Sequence, residues 1–297
     1  YKQVLDIDPE YAPAWAGLAR NYRNMTVTDQ LTEAEGIRMG RQAINRALSL
    51  DPGLAEAHAR LGLMVLEVDV DPVAASRHYR KAAELNPNDP AALSGLATLA
   101  VFLGDFESAI EMGERAVLRD PVDALGHLDL GGYYASAGRY LDALVALKKA
   151  VTLNDELYAG WYQIGIISLL ENDCDAALVA FEKENDAEYK LKGRTLCAYE
   201  RGDLALFEKL FIQLREEYGA QWPSEIAHVY AWVGDHDAAF EWLDKALAIN
   251  EGGLTASPRI RLMDSLQNDP RWQTFLGALG INNDQMQEIR DRIAQEQ

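Results

Sequence analysis

The residues of this 297-residue chain with the widest chemical reach are five histidines and two cysteines. His58, His78, His127, His228 and His236 are scattered singly, and none stands in a His-Glu-x-x-His or comparable ligand spacing, so no metal centre is expected. Asp235-His236-Asp237 could offer two carboxylates and an imidazole to a cation. It falls where a turn is expected, however, and polar residues are ordinary there. Cys174 and Cys197 are too few for a disulfide framework or a metal knuckle, and buried free thiols are the expectation. No phosphate-cradling Gly-rich loop, no Gly-x-Ser-x-Gly elbow and no dinucleotide fingerprint occurs. Gly131-Gly132 and Gly252-Gly253 read as packing and turn glycines. No nucleophile, base and orienting group converge, so the chain reads as non-enzymatic, with neither cofactor nor metal.

The elements that would position any other kind of site follow from a repeat. A small residue, four spacers and a proline recur as Ala47-to-Pro52, Ala82-to-Pro87 and Ala116-to-Pro121, with a degenerate Val4-to-Pro9. Pro9, Pro52, Pro87 and Pro121 lie 43, 35 and 34 residues apart, and Gly104 and Gly138 lie 34 apart. A beat near 34 residues is the length of a helix hairpin that must stack on its neighbours to bury an apolar face. With the proline set as position 32 of the unit, small residues recur at positions 8, 20 and 27, and large ones at 4, 7, 11 and 24. The small ones let helix backbones approach and the large ones fill the gaps. Gly104-Asp105 and Gly138-Arg139 supply a left-handed stop after a first helix. Asp51-Pro52 and Asp120-Pro121 end a second one.

The expected fold class is therefore all-α, a solenoid over residues 1–254 with capping or tail helices over 255–297. A partial repeat covers 1–11, and full repeats begin near 12, 55, 90, 124, 158, 188 and 220. The repeat from Ala12 carries nine extra residues. Thr32-Glu33-Ala34-Glu35 predicts a capping box for its second helix, and Met25-to-Leu31 is expected to protrude as a loop. After Glu184 the register weakens, with Phe207 and Leu214 where small residues are expected. Ser257-Pro258 is read as preceding a short helix and Asp269-Pro270 as starting another. Asp284 is expected to cap a last helix seamed by Met286, Ile289 and Ile293.

Composition narrows the partners. Apolar residues make up 48%, enough for a continuous core, while 28 basic against 47 acidic residues leave a net charge of −19. No basic stripe suited to a nucleic-acid backbone is legible, and an acidic membrane would repel the chain. No apolar run approaches the ~18 residues of a membrane span. Tyr1 opens in mid-repeat without an initiator methionine, so the sequence is expected to be part of a larger protein.

In register, the third and fourth repeats place Leu93, Leu96, Ala97, Ala109, Ala116 and then Leu130, Gly131, Tyr134, Ala143, Ala150. Trp161, Ile164, Gly165, Ala177 and Phe181 place the fifth. This pattern resembles the tetratricopeptide repeat family. The resemblance implies a right-handed superhelical solenoid of about seven helix hairpins. Two stretches, Ala14-to-Ala19 with Arg46-to-His58 and Asp269-to-Leu276, look like the C-terminal arrays of bacterial signalling proteins. In those proteins such arrays follow an adenylate cyclase, a winged-helix domain, a TolB-like segment or a kinase.

The resemblance further implies that first helices line a concave groove that binds a protein or peptide segment. Carried onto this chain, the groove positions are Arg20, Arg23 and Asn24, then Leu63 and Leu66, then Thr98 and Phe102, and then Leu128. Tyr162, Ile166, Leu169, Tyr199 and Trp232 continue them, with Lys192 and His228 beside them. The carboxylate clamp of the chaperone-tail branch needs Lys and Asn at recurring groove positions; at the first of these this chain has Ala16, Ala59, Ser94, Leu128, Tyr162, Lys192 and Ser224, so the clamp is read as absent. The expected function is a protein–protein interaction scaffold in a cytoplasmic regulatory protein, or a periplasmic one behind an upstream membrane span. The alternative is a self-association or sensory module, a homodimer controlling an attached cyclase or DNA-binding domain. His58 and His127 are expected as core packing residues.

Overall fold

An aspartate before the first turn and, in most hairpins, a glycine at the bend mark out the helices of this chain. The computed structural model describes residues 1–27, 30–251, 254 and 260–296, the side chains of Asn24 and Val27 excepted. Among these residues there are helices and no strand. A short α1 (Lys2–Ile7) precedes α2 (Ala12–Val27) and α3 (Glu33–Leu50), α4 (Ala55–Glu67) and α5 (Pro72–Leu85), and α6 (Pro90–Leu103) and α7 (Phe106–Arg119). Then come α8 (Ala124–Ser136) and α9 (Tyr140–Leu153), α10 (Gly160–Leu170) and α11 (Cys174–Lys183), and α12 (Ala187–Glu200) and α13 (Leu204–Tyr218). The pair α14 (Pro223–Val233) and α15 (His236–Ala248) is followed by a 3₁₀ helix, Arg261–Leu266, and by α16 (Pro270–Ala278) and α17 (Asn283–Gln295).

The chain divides into two compact units, Tyr1–Tyr133 with Arg292–Gln297, and Tyr134–Asp291. In the first unit α2 packs on α3, α4 on α5 and α6 on α7; in the second α10 packs on α11, α12 on α13 and α14 on α15. First helices also touch one another, α2 with α4, α4 with α6, α10 with α12 and α12 with α14, so that each unit presents a continuous first-helix face.

Local chemistry explains the boundaries. Asp71, Asp89, Asp105, Asp173, Asp186, Asp203 and Asp235 each accept the backbone N–H three residues on, which satisfies a donor the helix leaves orphaned. At the bends Gly104, Gly138, Gly202 and Gly234 sit at φ between 71 and 81°, and Asn172 takes the same left-handed role at φ 63°. Thr32 and Glu35 form the predicted capping box. Of the stretch Met25-to-Leu31, expected as a loop, Met25 to Val27 form the end of α2 and Gln30 and Leu31 are bends, while Thr28 and Asp29 lie outside the described residues. The insertion lengthens the hairpin, giving 16 residues in α2 and 18 in α3 against 14 in each of α6 and α7. Adding turns to two helices already packed together extends their shared interface, whereas a loop would bury nothing. Ser257 and Pro258 lie outside the described residues, as do Gly252 and Gly253. The last helix is capped by Asn282, which accepts from Gln285 N at 3.0 Å while Gln285 Oε1 accepts from Asn282 N at 3.0 Å. Asp284, expected as the cap, lies inside the first turn.

Two packing rules hold the hairpins together. Tyr1, Tyr79 and Phe181 occupy the same place in their repeats, and each lays its ring on glycine backbone. Tyr1 lies on Gly17, Tyr79 on Gly62 and Gly95, and Phe181 on Gly165 and Gly193. In α7 the glycine is on the other partner. Gly113 stands where the ring would be, and Tyr133 and Leu130 fill the space from α8. The second rule concerns the fourth residue of a repeat. Trp15 Nε1 donates to Pro9 O at 2.9 Å and Trp161 Nε1 to Asp155 O at 3.2 Å. His58 Nε2 reaches Pro52 O at 3.0 Å and His127 Nε2 reaches Pro121 O at 3.2 Å. A carbonyl only accepts, so both imidazoles carry their proton on Nε2. The histidines replace tryptophan because each offers a ring N–H at similar reach; they are partly buried loop anchors rather than core residues.

Candidate functional site

In the second unit the first-helix face centres on three tyrosines over a buried charge trio. Tyr162 of α10 stacks on Tyr189 of α12 with centroids 4.3 Å apart and planes 12° apart, and its other neighbour is Phe181 at 5.8 Å. Tyr158 donates its hydroxyl to Tyr189 at 3.2 Å and is itself 42% exposed. Beneath lies Lys192, 1% exposed, paired with Glu225 of α14 and 3.0 Å from His228 Nδ1. Since Lys192 donates, His228 Nδ1 accepts, and the imidazole is the neutral Nε2–H form. Burial alone would lower the ammonium pKa, but the Glu225 carboxylate outweighs it and the net displacement is upward. Burial would raise Glu225; the Lys192 ammonium reverses this and holds it well below the carboxylate range. Burial, with Lys192 beside it, pushes His228 down. Burial raises the Tyr162 phenol to about 12.

Carboxylates crowd this face. Glu184, 2% exposed, accepts from Tyr162 N and Asn185 N, each at 2.9 Å, and thereby locks the start of α10 to the α11–α12 junction. Glu188 has one buried oxygen without a hydrogen-bond partner, and burial together with the Glu225 charge pushes its carboxyl to about 8. The surface is thus aromatic, supported from beneath and rich in acceptors.

In the first unit the corresponding face is charged. Arg23 of α2 forks onto Glu67 of α4 with contacts of 3.1 and 2.9 Å, and Arg20 donates to the Tyr1 hydroxyl at 3.0 Å. Arg60 of α4 reaches Glu56 at 3.3 Å, and its buried Nε has no partner. Burial lowers the Arg60 pKa, and the like charges of Arg20 and Arg23 add to this. Asp129 of α8 faces this group; the protein around its carboxyl raises it to about 6, although the residue surface is open.

Of the groove residues expected from the sequence, Arg20, Arg23, Leu63, Thr98 and Phe102 are at least partly accessible in the first unit, and Asn24's side chain is outside the described set. Thr98 donates to Ser94 O at 2.9 Å and lies 3.4 Å from the Tyr133 hydroxyl. In the second unit Tyr162, Ile166, Tyr199 and Trp232 are partly buried. Tyr199 donates to Val233 O at 3.3 Å and Trp232 to Glu200 at 2.8 Å. Leu66, Leu128 and Leu169 are 6%, 8% and 2% exposed and pack inward, leaving little surface for a partner. Arg60, Asp129, Tyr158, Glu188 and Glu225 were not anticipated. The legible signal is helical spacing: Glu56, Arg60, Leu63 and Glu67 share one stripe of α4.

Residues 71–128 match the tetratricopeptide repeat family. Over residues 71–128 the repeats are tetratricopeptide repeats. A tetratricopeptide protein of Mycosarcoma maydis, small glutamine-rich tetratricopeptide repeat-containing protein 2, is 37% identical over 81 residues, 27% of this chain and 23% of that one. The chain spans under a quarter of the length of the curated relatives it matches. Among solved structures, a chain of the APC/C hetero-tetramer Cut9–Hcn1 superposes with a TM-score of 0.59 at 18% identity, covering 90% of this chain and 51% of that one. The type IV pilus biogenesis factor PilW superposes at 0.58 and 16% identity, covering 73% of this chain and 97% of that one. At these identities the likeness is one of fold. The tetratricopeptide fold is that of protein–protein interaction scaffolds, and no helix among the described residues is long and apolar enough to cross a membrane.

Proposed function

We propose that the chain is a non-catalytic scaffold whose first-helix face takes a peptide or helical segment of another protein, as the regulatory part of a larger cytoplasmic bacterial signalling protein. The observation that carries the reading is the Tyr158–Tyr189–Tyr162 array held from beneath by Lys192, Glu225 and His228. Aromatic rings bury much area at little entropic cost, and rings fixed before binding lose least on association. A buried charge trio contributes little net stability, which makes its role in seating the aromatic face the stronger explanation of its presence. The signalling setting rests on the likeness of the two sequence stretches to bacterial regulatory arrays.

The test is selection of short displayed peptides on the intact chain, followed by titration of the selected peptides against Tyr158→Ala and Phe102→Ala. Tyr158→Ala is expected to weaken peptides bound to the second unit by about tenfold or more, as a hot-spot aromatic does. Peptides whose affinity is unchanged by both substitutions would refute a first-helix binding face.

A further inference from the structure

The first-helix face leaves unused a basic stripe on a second helix. Arg77, Arg80 and Lys81 of α5 stand three and four residues apart, so they share one edge of the helix, in a chain whose acidic residues outnumber basic ones by 47 to 28. The stripe already holds a ligand of its own: Glu296, from the segment Arg292–Gln297 that belongs to the first unit. Arg77 forks onto both Glu296 carboxylate oxygens, with Nε 2.8 Å from Oε2. Arg80 donates from Nη1 to the Glu296 backbone carbonyl at 2.7 Å and from Nη2 to the carboxylate at 3.4 Å. One residue is therefore read twice, by its side chain and by its main chain. Neutralising a surface charge needs only the first contact; recognising an acidic residue within a peptide uses both.

The contact is built to exchange. Arg77 is 58% exposed and the Glu296 side chain 30%, so salt screens the pair. The Arg77 hydrogen bond holds the Glu296 carboxyl below its ordinary range, so the contact is fully charged at neutral pH. Lys81, half exposed and paired with its own-helix neighbour Glu84 at 3.4 Å, stands beside the fork with room for a second acidic side chain.

We propose that the Arg77–Arg80–Lys81 stripe is a second docking surface, specific for acidic segments of a partner protein, and that Glu296 occupies it in cis as a competitor. The experiment uses the whole chain and a fluorescein-labelled hexaglutamate amide, with binding read by anisotropy at low salt. Glu296→Gln frees the fork and is expected to bind the probe about threefold or more tightly than the parent. The double variant Arg77→Gln/Arg80→Gln is expected to bind about tenfold or more weakly than Glu296→Gln, the loss of charge-assisted bonds. Glu296→Gln no tighter than the parent, or the double variant as tight as the parent, overturns the proposal. Should the double variant melt early by circular dichroism, Arg77→Lys/Arg80→Lys keeps the charge and removes the fork, and binding equal to Glu296→Gln would refute forked recognition. Tyr158→Ala is expected to leave probe affinity unchanged; its loss would move the acidic-segment site to the first-helix face.

Discussion

Replacing Gly193 by alanine isolates the ring-on-glycine rule that joins successive hairpins. In an exposed helix interior the change would stabilise by about 0.8–1 kcal/mol, because alanine loses less backbone entropy. At Gly193 a methyl group would lie within 2.6 Å of three carbons of the Phe181 ring, and one at Gly165 within 2.7 Å of three. Carbon contacts settle near ~3.5–4 Å, so the ring would have to move by about 1 Å. It has no free volume to enter: Phe181 is 0% exposed and packed among Leu196, Leu191 and Ala177. Overpacking of that kind costs about 1–3 kcal/mol, and the near-complete overlap here places it toward the upper end. The net expectation is destabilisation by about 1–2 kcal/mol, a fall in melting temperature of roughly 2–4 °C per kcal/mol for a unit of this size. Thermal unfolding by circular dichroism, with hydrogen exchange at the α12 amides to assign the loss, measures it. Phe181→Leu in the Gly193→Ala background should recover part of the loss, whereas the same rescue should fail for Gly202→Ala, where the cost is the backbone angle of φ 71° and nothing lies within 4 Å. A Gly193→Ala chain more stable than the parent would refute the packing rule.

Lys192→Met strands the Glu225 carboxylate beneath the tyrosines and should cost about 3–5 kcal/mol in chemical denaturation. Adding Glu225→Gln should restore part of it, and a single variant as stable as the parent contradicts the buried pair. Glu188 gives a pH signature. Its carboxyl is near 8 when folded, through burial and then Glu225, against an ordinary 4.5 when unfolded. The folded protein therefore keeps a proton that the unfolded chain releases between these values, and stability falls as pH rises across that window. Glu188→Gln should melt like the parent near pH 4 and above it at pH 8; equal melting at both ends counts against the raised carboxyl. Burial pushes the Cys197 thiol up to about 12 and also raises that of Cys174, but Cys174, at the start of α11, is only partly buried whereas Cys197 is 1% exposed. Iodoacetamide should therefore label Cys174 well before Cys197 in the native protein, and mass spectrometry showing equal rates would refute the difference.

The sequence alone determined the all-helical class and the repeat period. The signals are local: an aspartate three residues before the donor it caps, a glycine or asparagine at a left-handed bend, a proline where a helix has ended. Each hairpin contacts mainly its neighbours, so a period of about 34 residues already implies the stack. What only the tertiary structure decided was which residues of each first helix remain open. Leu66 and Leu169 share the register of Arg23, and Leu128 that of Tyr162, yet their neighbours bury them. The trio of Lys192, Glu225 and His228 joins α12 to α14 across 33 residues of sequence, a pairing no local pattern encodes. The same holds for Phe181 with Gly193, and for the lengths of α2 and α3, which exceed those of the later hairpins. Backbone conformation is set within a few residues, whereas exposure, charge pairing and ring packing are set by whatever the next repeat brings into contact.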